Sequence, residues 1–533
     1  MHLRDLPNDI LHQVFKEATR PTFGLVRHQW KHSLRLLTVC RRWRHVALSA
    51  VHSRVYFQYG SLAEVRSHAR SGAGGEPESP RVLTNLGAVA SAGCTNTVKT
   101  VSITIYYAET AAPGLDAALA MMRAGAERWR GAKALEVVLH AYPRASGEDE
   151  DGAAARHDDD AARICAALAS MLPAVCQLDI TESLQTRSTE KMLGGLASHF
   201  AGQLCGIHSQ APIALPPDCT LRRLRRAAIS CSSVGDRRQP PRMDLTTLVS
   251  LEMARWPANH SWAPLAAGSG STDIVFPSLE HLNVWYRERD AEEDAETWLW
   301  DETPWRIHFP KLKTMTVASD HNTCLLLRCM VLPPHMDKMH MDVPAPVLLS
   351  TPKTSLPHAR GTERLELVVR ESLLSVPPEA IPALVTRLEM RPPIGVDSML
   401  ALIRRLPRLA TLMLWRLEFD DIQADISVPG PDEYCFVEPL SARIECLCLN
   451  ARQEKQSVDM LVAVAKYLML GVPTLADFRA PCIPRAAIME FVDAYSAWHP
   501  HLSDIAFALD DSCLATLDPG SGKTTLSPVL FFF

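Results

Sequence analysis

The chain has 533 residues and a hydrophobic content of 47%, which is typical of a globular protein that is too long for one small core. Its formal net charge is −5, so the chain lacks the strong positive field that binding along a nucleic-acid backbone requires. The apolar stretch at residues 460–472 is interrupted by Lys466 and is too short to span a membrane. We therefore expect a soluble chain whose partner is a specific protein, with no nucleic acid and no membrane.

The first predicted elements are two amphipathic helices near the N-terminus. The first follows Pro7, which a helix tolerates at its start, and has a single apolar face. The second repeats this pattern, with arginines on its opposite face. Because a segment of about 55 residues rarely buries enough surface to be stable alone, we expect Leu11, Phe15 and Trp43 to stay uncovered until a partner binds.

The order of these residues resembles the F-box. The matching elements are Leu6-Pro7, Ile10-Leu11, Val14-Phe15, Val39-Cys40 and Trp43-Arg44. In that family a three-helix motif docks on the Skp-type adaptor of SCF ubiquitin ligases, and through it on a cullin, while the rest of the chain binds a protein substrate. The resemblance implies these adaptor-binding residues: Leu6, Pro7, Ile10, Leu11, Val14, Phe15, Val39, Cys40 and Trp43.

One feature leaves the F-box interpretation open. An insert at residues 21–33 is longer than in the shortest versions of the motif and obscures the second helix. The alternative is a pair of ordinary amphipathic helices that cap the next domain.

Residues 67–80 are rich in Gly, Ser, Pro and Glu, which is typical of a linker. We therefore predict a helical domain at 1–57, a linker at 58–85 and a repeat domain at 86–533.

Short alternating apolar runs occupy the rest of the chain at a mean interval of roughly 28 residues, a period typical of leucine-rich repeats. A strand with its return segment cannot bury its inner face until another such unit stacks on it. Segments with helical spacing separate several runs, as at residues 396–409. The runs are centred near residues 103, 137, 178, 224, 251, 282, 315, 366, 388, 412, 447 and 505, with fainter ones near 339 and 477.

The entries Phe276-Pro277 and Phe309-Pro310 resemble those of the irregular leucine-rich repeats that commonly follow an F-box. The predicted fold class is α/β, with a small N-terminal three-helix F-box followed by an irregular leucine-rich-repeat solenoid in the form of a horseshoe. The asparagine that closes regular repeats is mostly missing, and the intervals vary from roughly 20 to 40 residues. A helical-repeat array or an ordinary α/β domain remains as the alternative.

The repeat pattern also predicts where a substrate would bind. In a strand written L-x-x-L-x-L, the leucines enter the core and the intervening residues line the exposed face; near residue 282 this places Leu279, Leu282 and Val284 inward. Trp and Arg often dominate binding energy, although the same residues could instead be packed under a loop. The predicted substrate-binding residues are His281, Asn283, Trp285, Arg387, Glu389, Arg391, Thr411, Met413 and Trp415.

Little in the sequence indicates catalysis, a metal or a cofactor. The fourteen cysteines are scattered and lack the paired spacing of a zinc site, and those in apolar runs, such as Cys446 and Cys448, are typical of reduced, packed thiols. Gly522-Lys523-Thr524 is similar to the end of a phosphate-binding loop, but position 517 is leucine where that loop needs glycine.

The sequence thus favours a non-catalytic substrate-recognition subunit of an SCF-type ubiquitin ligase. Charged and polar residues follow Met1 directly, so we expect no secretory signal sequence and a cytoplasmic or nuclear protein. Two alternatives remain open. The first is a repeat scaffold without a role in a ligase. The second is an enzyme with its site in the repeat domain, with or without a nucleotide at Lys523.

Overall fold

The computed structural model divides the chain into two compact units, Met1–Leu279 and Glu280–Phe533, which we call unit 1 and unit 2. The residues that the structure describes are 6–18, 39–51, 53–59, 82–84, 89, 98–107, 119–141, 162–182, 187–213, 215–216, 219–230, 242–253, 273–285, 306–318, 330–344, 362–370, 376–419, 439–440, 443–449 and 458–510.

Unit 1 begins with two helices, Asn8–Ala18 and Arg41–Val51. The first starts directly after Pro7, whose carbonyl accepts a hydrogen bond from the Leu11 N–H at 2.9 Å. The second starts after Cys40, whose carbonyl accepts from the Arg44 N–H at 2.9 Å and whose Sγ accepts from the Trp43 N–H at 3.4 Å. The segment between these helices, in which the resemblance to the F-box implies a second helix, is residues 19–38 and lies outside the described residues.

Unit 1 continues as a parallel sheet. Strands β1 and β3 to β8 pair in chain order, each parallel to the one before it, and β2 pairs antiparallel to β1. Helices Ala126–Trp129 and Arg187–Phe200 and the helical residues 119–124 and 162–171 lie between strands. The strands are β1 (Arg54–Tyr59), β2 (Val82–Thr84), β3 (Thr100–Tyr107), β4 (Ala134–Ala141), β5 (Gln177–Glu182), β6 (Gly206–Pro212), β7 (Arg226–Ser230), β8 (Ser250–Met253) and β9 (Asp273–Val275).

Unit 2 contains nine described parallel strands that pair in the order β10, β12, β14, β15, β16, β18, β20, β21 and β22. These are β10 (His281–Trp285), β12 (Thr314–Ala318), β14 (Met336–Pro344), β15 (Thr362–Arg370), β16 (Val385–Met390), β18 (Thr411–Leu414), β20 (Cys446–Leu449), β21 (Asp477–Pro484) and β22 (Ala506–Asp510).

Shorter elements of unit 2 lie between these strands. Two pairs of short strands run parallel: β11 (Arg306–His308) with β13 (Met330–Val331), and β17 (Ile394–Gly395) with β19 (Leu417–Glu418). The helices are Val396–Arg405, Val458–Gly471 and Arg485–Tyr495, and the 3-10 helices are Pro378–Ala380 and Pro500–Asp504.

Both units repeat one register. In unit 1 a single row of aligned, buried side chains crosses the sheet at intervals of 20 to 46 residues; it consists of Val55, Val101, Leu135, Leu178, Ile207, Ala227 and Leu251. The backbone repeats as well, because the Ser53 carbonyl accepts from both Lys99 and Thr100, and the Glu280 carbonyl accepts in the same way from Lys313 and Thr314. Such recurrence is what a solenoid-like α/β fold requires.

The predicted α/β class is therefore confirmed, whereas the domain boundaries differ from the prediction. Strand β1 runs through residue 57, where we expected the helical domain to end, and β2 lies inside the predicted linker 58–85. The region predicted as one repeat domain is shared between the two units, which divide at residue 279. Among the described residues, no helix combines the length and apolar character that crossing a bilayer needs.

Candidate interaction surfaces

The two N-terminal helices pack on each other through a small hydrophobic cluster. Leu11 and Phe15 are 0% and 1% exposed and contact Val46 and Ala47 of the second helix. The rings of Phe15 and Trp43 meet edge to face, with centroids 5.0 Å apart. The expectation that Leu11 and Phe15 wait uncovered for a partner is therefore wrong. They are core residues, because each helix supplies the other with an apolar cover.

Among the described side chains on or next to the two helices, three large apolar ones are exposed. Ile10 and Val14 lie one turn apart on the first helix, with exposures of 46% and 41%, and Val39 precedes the second helix with an exposure of 58%. Pro7 and Cys40 are also exposed, while Leu6 and Trp43 are partly buried. We call Ile10, Val14 and Val39 the apolar ridge. The predicted adaptor-binding set is thus divided between core and surface.

Arg42 joins the beginnings of the two helices. Its Nε donates to Oδ1 of Asn8 at 2.9 Å, and its terminal nitrogen donates to the Leu6 carbonyl. The hydrophobic cluster of the pair consists of Leu11, Phe15, Val46 and Ala47, with Leu6 and Trp43 at its border. No described residue of the sheet belongs to this cluster. The helix pair is therefore a separate packing unit within the described part of unit 1, although the chain passes from it directly into β1.

The predicted substrate-binding residues lie on the outer face of unit 2 strands, in the predicted register. The inward residues Leu279, Leu282 and Val284 are 0%, 2% and 0% exposed, whereas His281 is exposed and Asn283 and Trp285 are partly buried. Strands β16 and β18 are adjacent and align Arg387 with Thr411 and Glu389 with Met413. The predicted residues on these two strands and just beyond them therefore form one group: Arg387, Glu389, Arg391, Thr411, Met413 and Trp415.

Glu389 links two other members of this group by hydrogen bonds. Its Oε1 accepts hydrogen bonds from Nε1 of Trp415 and from Nε of Arg391, each at 3.0 Å. The guanidinium of Arg391 lies 5.8 Å from the centroid of the Trp415 ring, within the range of a cation–π contact. These three side chains fix one another's orientation.

The three predicted residues of β10 lie apart from that group. Strands β12, β14 and β15 separate β10 from β16. Nδ1 of His281 lies 2.8 Å from Oγ1 of Thr314 on β12. The nine residues that the sequence predicted therefore occupy two places on the outer face rather than one.

The charged residues between these two places were missed. Glu366 on β15 has a side chain only 7% exposed, and its carboxylate contacts Lys338 at 2.9 Å, His340 at 3.1 Å and Arg364 at 2.9 Å. Beside it, Nε of Arg370 donates to Oδ1 of Asp342 at 2.9 Å. The available signal was the alternation of charged and apolar residues at 336–344 and 362–370, which predicts the strands but not which charges meet.

Burial and charge act against each other on Glu366. Burial favours the neutral acid, but the hydrogen bonds from Lys338 and His340, with the charge of Arg364, hold the pKa of Glu366 below its ordinary value of 4.5. The carboxylate is therefore ionised at neutral pH and belongs to the charged network of this face.

The described cysteines are free thiols. Burial raises the pKa of Cys448 to about 11, so this side chain is a packed thiol rather than a nucleophile. Within the described ranges, no three His, Cys, Asp or Glu side chains converge as a metal site would need. Gly522-Lys523-Thr524, the segment similar to a phosphate-binding loop, lies outside the described residues.

Comparison with protein-family models and with curated proteins finds no match to this chain.

Proposed function

We propose that this chain is the substrate-recognition subunit of an SCF-type ubiquitin ligase. The N-terminal helices would dock a Skp-type adaptor, and through it a cullin, while an irregular leucine-rich-repeat face would bind a protein substrate. The chain would be non-catalytic and act in the cytoplasm or the nucleus. It would raise the effective concentration of substrate lysines near the ubiquitin-conjugating enzyme.

The apolar ridge is the observation that carries this proposal. Ile10, Val14 and Val39 occupy positions that match the F-box pattern, and each is more than two-fifths exposed. Burying a large apolar side chain is worth roughly 1.5 to 3 kcal/mol before the costs of association. Because the described core of the helix pair is separate from that of the sheet, a partner can cover the ridge without disturbing the strands.

The test is capture of a Skp-type adaptor and a cullin by the full-length chain. The variant Ile10→Asp with Val14→Asp places two charges on the ridge, and we expect it to lose capture. Both side chains are exposed, so the fold should be unchanged by circular dichroism. Val275→Asp is the matched control, since Val275 on β9 is also 46% exposed but lies outside the helix pair.

Full capture by the double variant, or no capture by the wild-type chain, would contradict the proposal. Phe15→Asp is not a suitable test, because Phe15 is 1% exposed and a buried charge there would unfold the helix pair. A loss of capture in that variant would say nothing about the surface.

One observation favours a second candidate, a repeat scaffold without a ligase role. Leu11 and Phe15 are covered by the neighbouring helix, so these two side chains do not need an adaptor to bury them. In that case neither the wild-type chain nor any ridge variant would capture an adaptor, and the apolar ridge would remain uncovered in solution.

A further inference from the structure

The aligned outward positions of β14, β15, β16 and β18 carry more positive than negative charge, although the chain as a whole has a net charge of −5. Arg391 and Trp415 continue this face just beyond their strands, through backbone hydrogen bonds to Val369 and Met390. We call the following set, with Trp415, the cationic face: the cations Lys338, Arg364, Arg370, Arg387 and Arg391, and the carboxylates Asp342, Glu366 and Glu389.

The carboxylates of the cationic face orient its cations but neutralise only part of their charge. Glu366 is the common contact of Lys338 and Arg364, whose side chains remain 42% and 59% exposed. Two permanent cations share one carboxylate here, with His340 as a third contact. The surplus positive charge therefore faces solvent.

Arg387 differs from the other arginines of this face. Within the described residues its guanidinium contacts no carboxylate, and its hydrogen bond runs to the thioether sulfur of Met413 at 3.5 Å. A thioether is a weak acceptor, and the side chain is partly buried between β15 and β18. Arg387 is thus a partly desolvated cation with unused donors, which favours an anionic ligand.

Trp415 supplies an apolar surface further along the same face, four residues beyond Thr411, which is the residue aligned with Arg387. Its indole Nε1 is already bonded to Glu389, and the ring is held against Arg391. Ordering the ring on binding would therefore cost little conformational entropy. Tryptophan and arginine on one face are typical of residues that dominate protein-binding energy.

We infer that the cationic face binds an acidic, extended segment of a protein, in which an Asp or Glu carboxylate pairs with Arg387 and an apolar side chain further along the segment packs on Trp415. This inference rests on the proposed function in that the segment belongs to the substrate. Carboxylates at three positions of the face disfavour a nucleic-acid backbone, whose phosphates are regularly spaced. A single unpaired guanidinium suits a carboxylate, whereas a phosphate dianion calls for several converging cations.

The test measures fluorescence anisotropy of labelled peptides with the full-length protein. One peptide repeats Gly-Glu-Leu-Glu, and its neutral counterpart repeats Gly-Gln-Leu-Gln. We expect binding of the acidic peptide alone, weakening as salt rises. Arg387→Gln should weaken it about tenfold, the effect of losing one charge-assisted pair. Arg404→Gln is the matched control, because Arg404 is an exposed cation on helix Val396–Arg405 away from this face.

Two further measurements, peptide binding by Arg387→Lys and capture of the adaptor by each variant, help to interpret the peptide-binding result. Arg387→Lys keeps the charge but loses the planar fork, so it should bind with intermediate affinity and provides a test if Arg387→Gln proves unstable. Equal binding of the neutral peptide, tighter binding of a single-stranded oligonucleotide, or binding confined to a phosphoserine version of the peptide would overturn the inference. Each variant should still capture the adaptor as the wild-type chain does, which shows that it is folded. Failure of the wild-type chain to capture the adaptor would count against the proposed function alone.

Discussion

Ile10 and Phe15 belong to the same apolar stripe of the helix Asn8–Ala18, yet the structure gives them opposite environments. Phe15 is 1% exposed and packs on Trp43, whereas Ile10 is 46% exposed. An apolar stripe about as wide as two adjacent rows of side chains can therefore be divided, with one row facing the neighbouring helix and the other facing outward. The hydrophobic pattern of the sequence predicts which residues form the stripe, but it does not predict which of them face the neighbouring helix and which face outward.

Substitution by alanine should separate these two environments. Phe15→Ala removes a fully buried aromatic ring, and we expect the helix pair to lose about 3 to 5 kcal/mol of stability. Ile10→Ala removes an exposed side chain and should change stability by less than about 0.5 kcal/mol. Hydrogen exchange of the amides in residues 8–18 and 41–51 measures both effects. Equal protection in the two variants would mean that Phe15 is not part of a core.

At Glu366 the local charges link stability to pH. The pKa of this carboxyl is lower in the folded chain than the ordinary 4.5, so the folded state favours the ionised form. That stabilisation is fully present above the pKa of the unfolded chain and is lost as the pH falls through the folded pKa. The contribution of Glu366 should therefore disappear in acid, not in base.

Glu366→Gln should lower the free energy of unfolding by about 1 to 2 kcal/mol at neutral pH, because Lys338 and Arg364 lose their shared carboxylate. Denaturant unfolding over a pH series should show the difference from wild type narrowing below pH 4.5. Glu363→Gln is the control, since Glu363 is an exposed neighbour on the same strand and should show no such trend. A difference that is constant across the series would exclude the charged network as its cause.

At the scale of elements, the helix Ala126–Trp129 packs against the sheet through Trp129, and Gly125, just before the helix, leaves space for that ring. Trp129 is 1% exposed and meets Phe57 of β1 edge to face, with centroids 5.3 Å apart. A side chain at Gly125 would collide with the six-membered ring of Trp129. Because that ring is enclosed on its other sides, it cannot move away, so position 125 requires glycine for space rather than for backbone freedom.

Gly125→Ala should destabilise unit 1 by about 1 to 3 kcal/mol through overpacking. Gly131→Ala, six residues along in the same connection, is the matched control because no atom lies within 4 Å of the added Cβ. Thermal unfolding followed by tryptophan fluorescence compares the two variants. Similar melting temperatures would show that Trp129 can repack.

The sequence predicted the strands well where large apolar side chains alternate with other residues, and poorly where the inward side chains are small or polar. Runs such as residues 100–107 and 411–414 became β3 and β18. Strand β6, Gly206–Pro212, gave no such signal, because its inward positions are Ile207 and the hydroxyl-bearing Ser209, which is 3% exposed. The segment forms a strand despite its weak propensity because it pairs with β5 on one side and β7 on the other.

The candidate surface could be predicted only in part for a related reason. The register within one strand gives the outward direction of Arg387 or Trp415, and both predictions of direction are confirmed. The contacts of Glu366 with Lys338 and His340 depend instead on which strands lie side by side and on the register between β14 and β15. The pattern of residues along one strand does not show which residues of another strand, 20 or more residues away in the sequence, will lie beside it.

For the whole molecule, the repeated register implies a particular kind of cooperativity. Each strand pairs with the strands of its neighbouring repeats, as in the unit 2 series from β10 to β22, so stability is close to a sum of repeat and interface contributions. We expect denaturant unfolding to be broader than for a single cooperative core of the same length. Transitions followed by tryptophan fluorescence and by circular dichroism should then fail to coincide. Coincident, steep transitions would contradict a repeat architecture.

The uneven spacing of the aligned row in unit 1 has an evolutionary consequence. Successive strands keep their inward residue in register while the intervening chain varies from 20 to 46 residues. Length can therefore change in a return segment while the ladder of strands stays the same, since closing a longer loop costs little extra entropy. Such a fold can gain new loops by insertion and acquire new specificities, one connection at a time, on an unchanged scaffold.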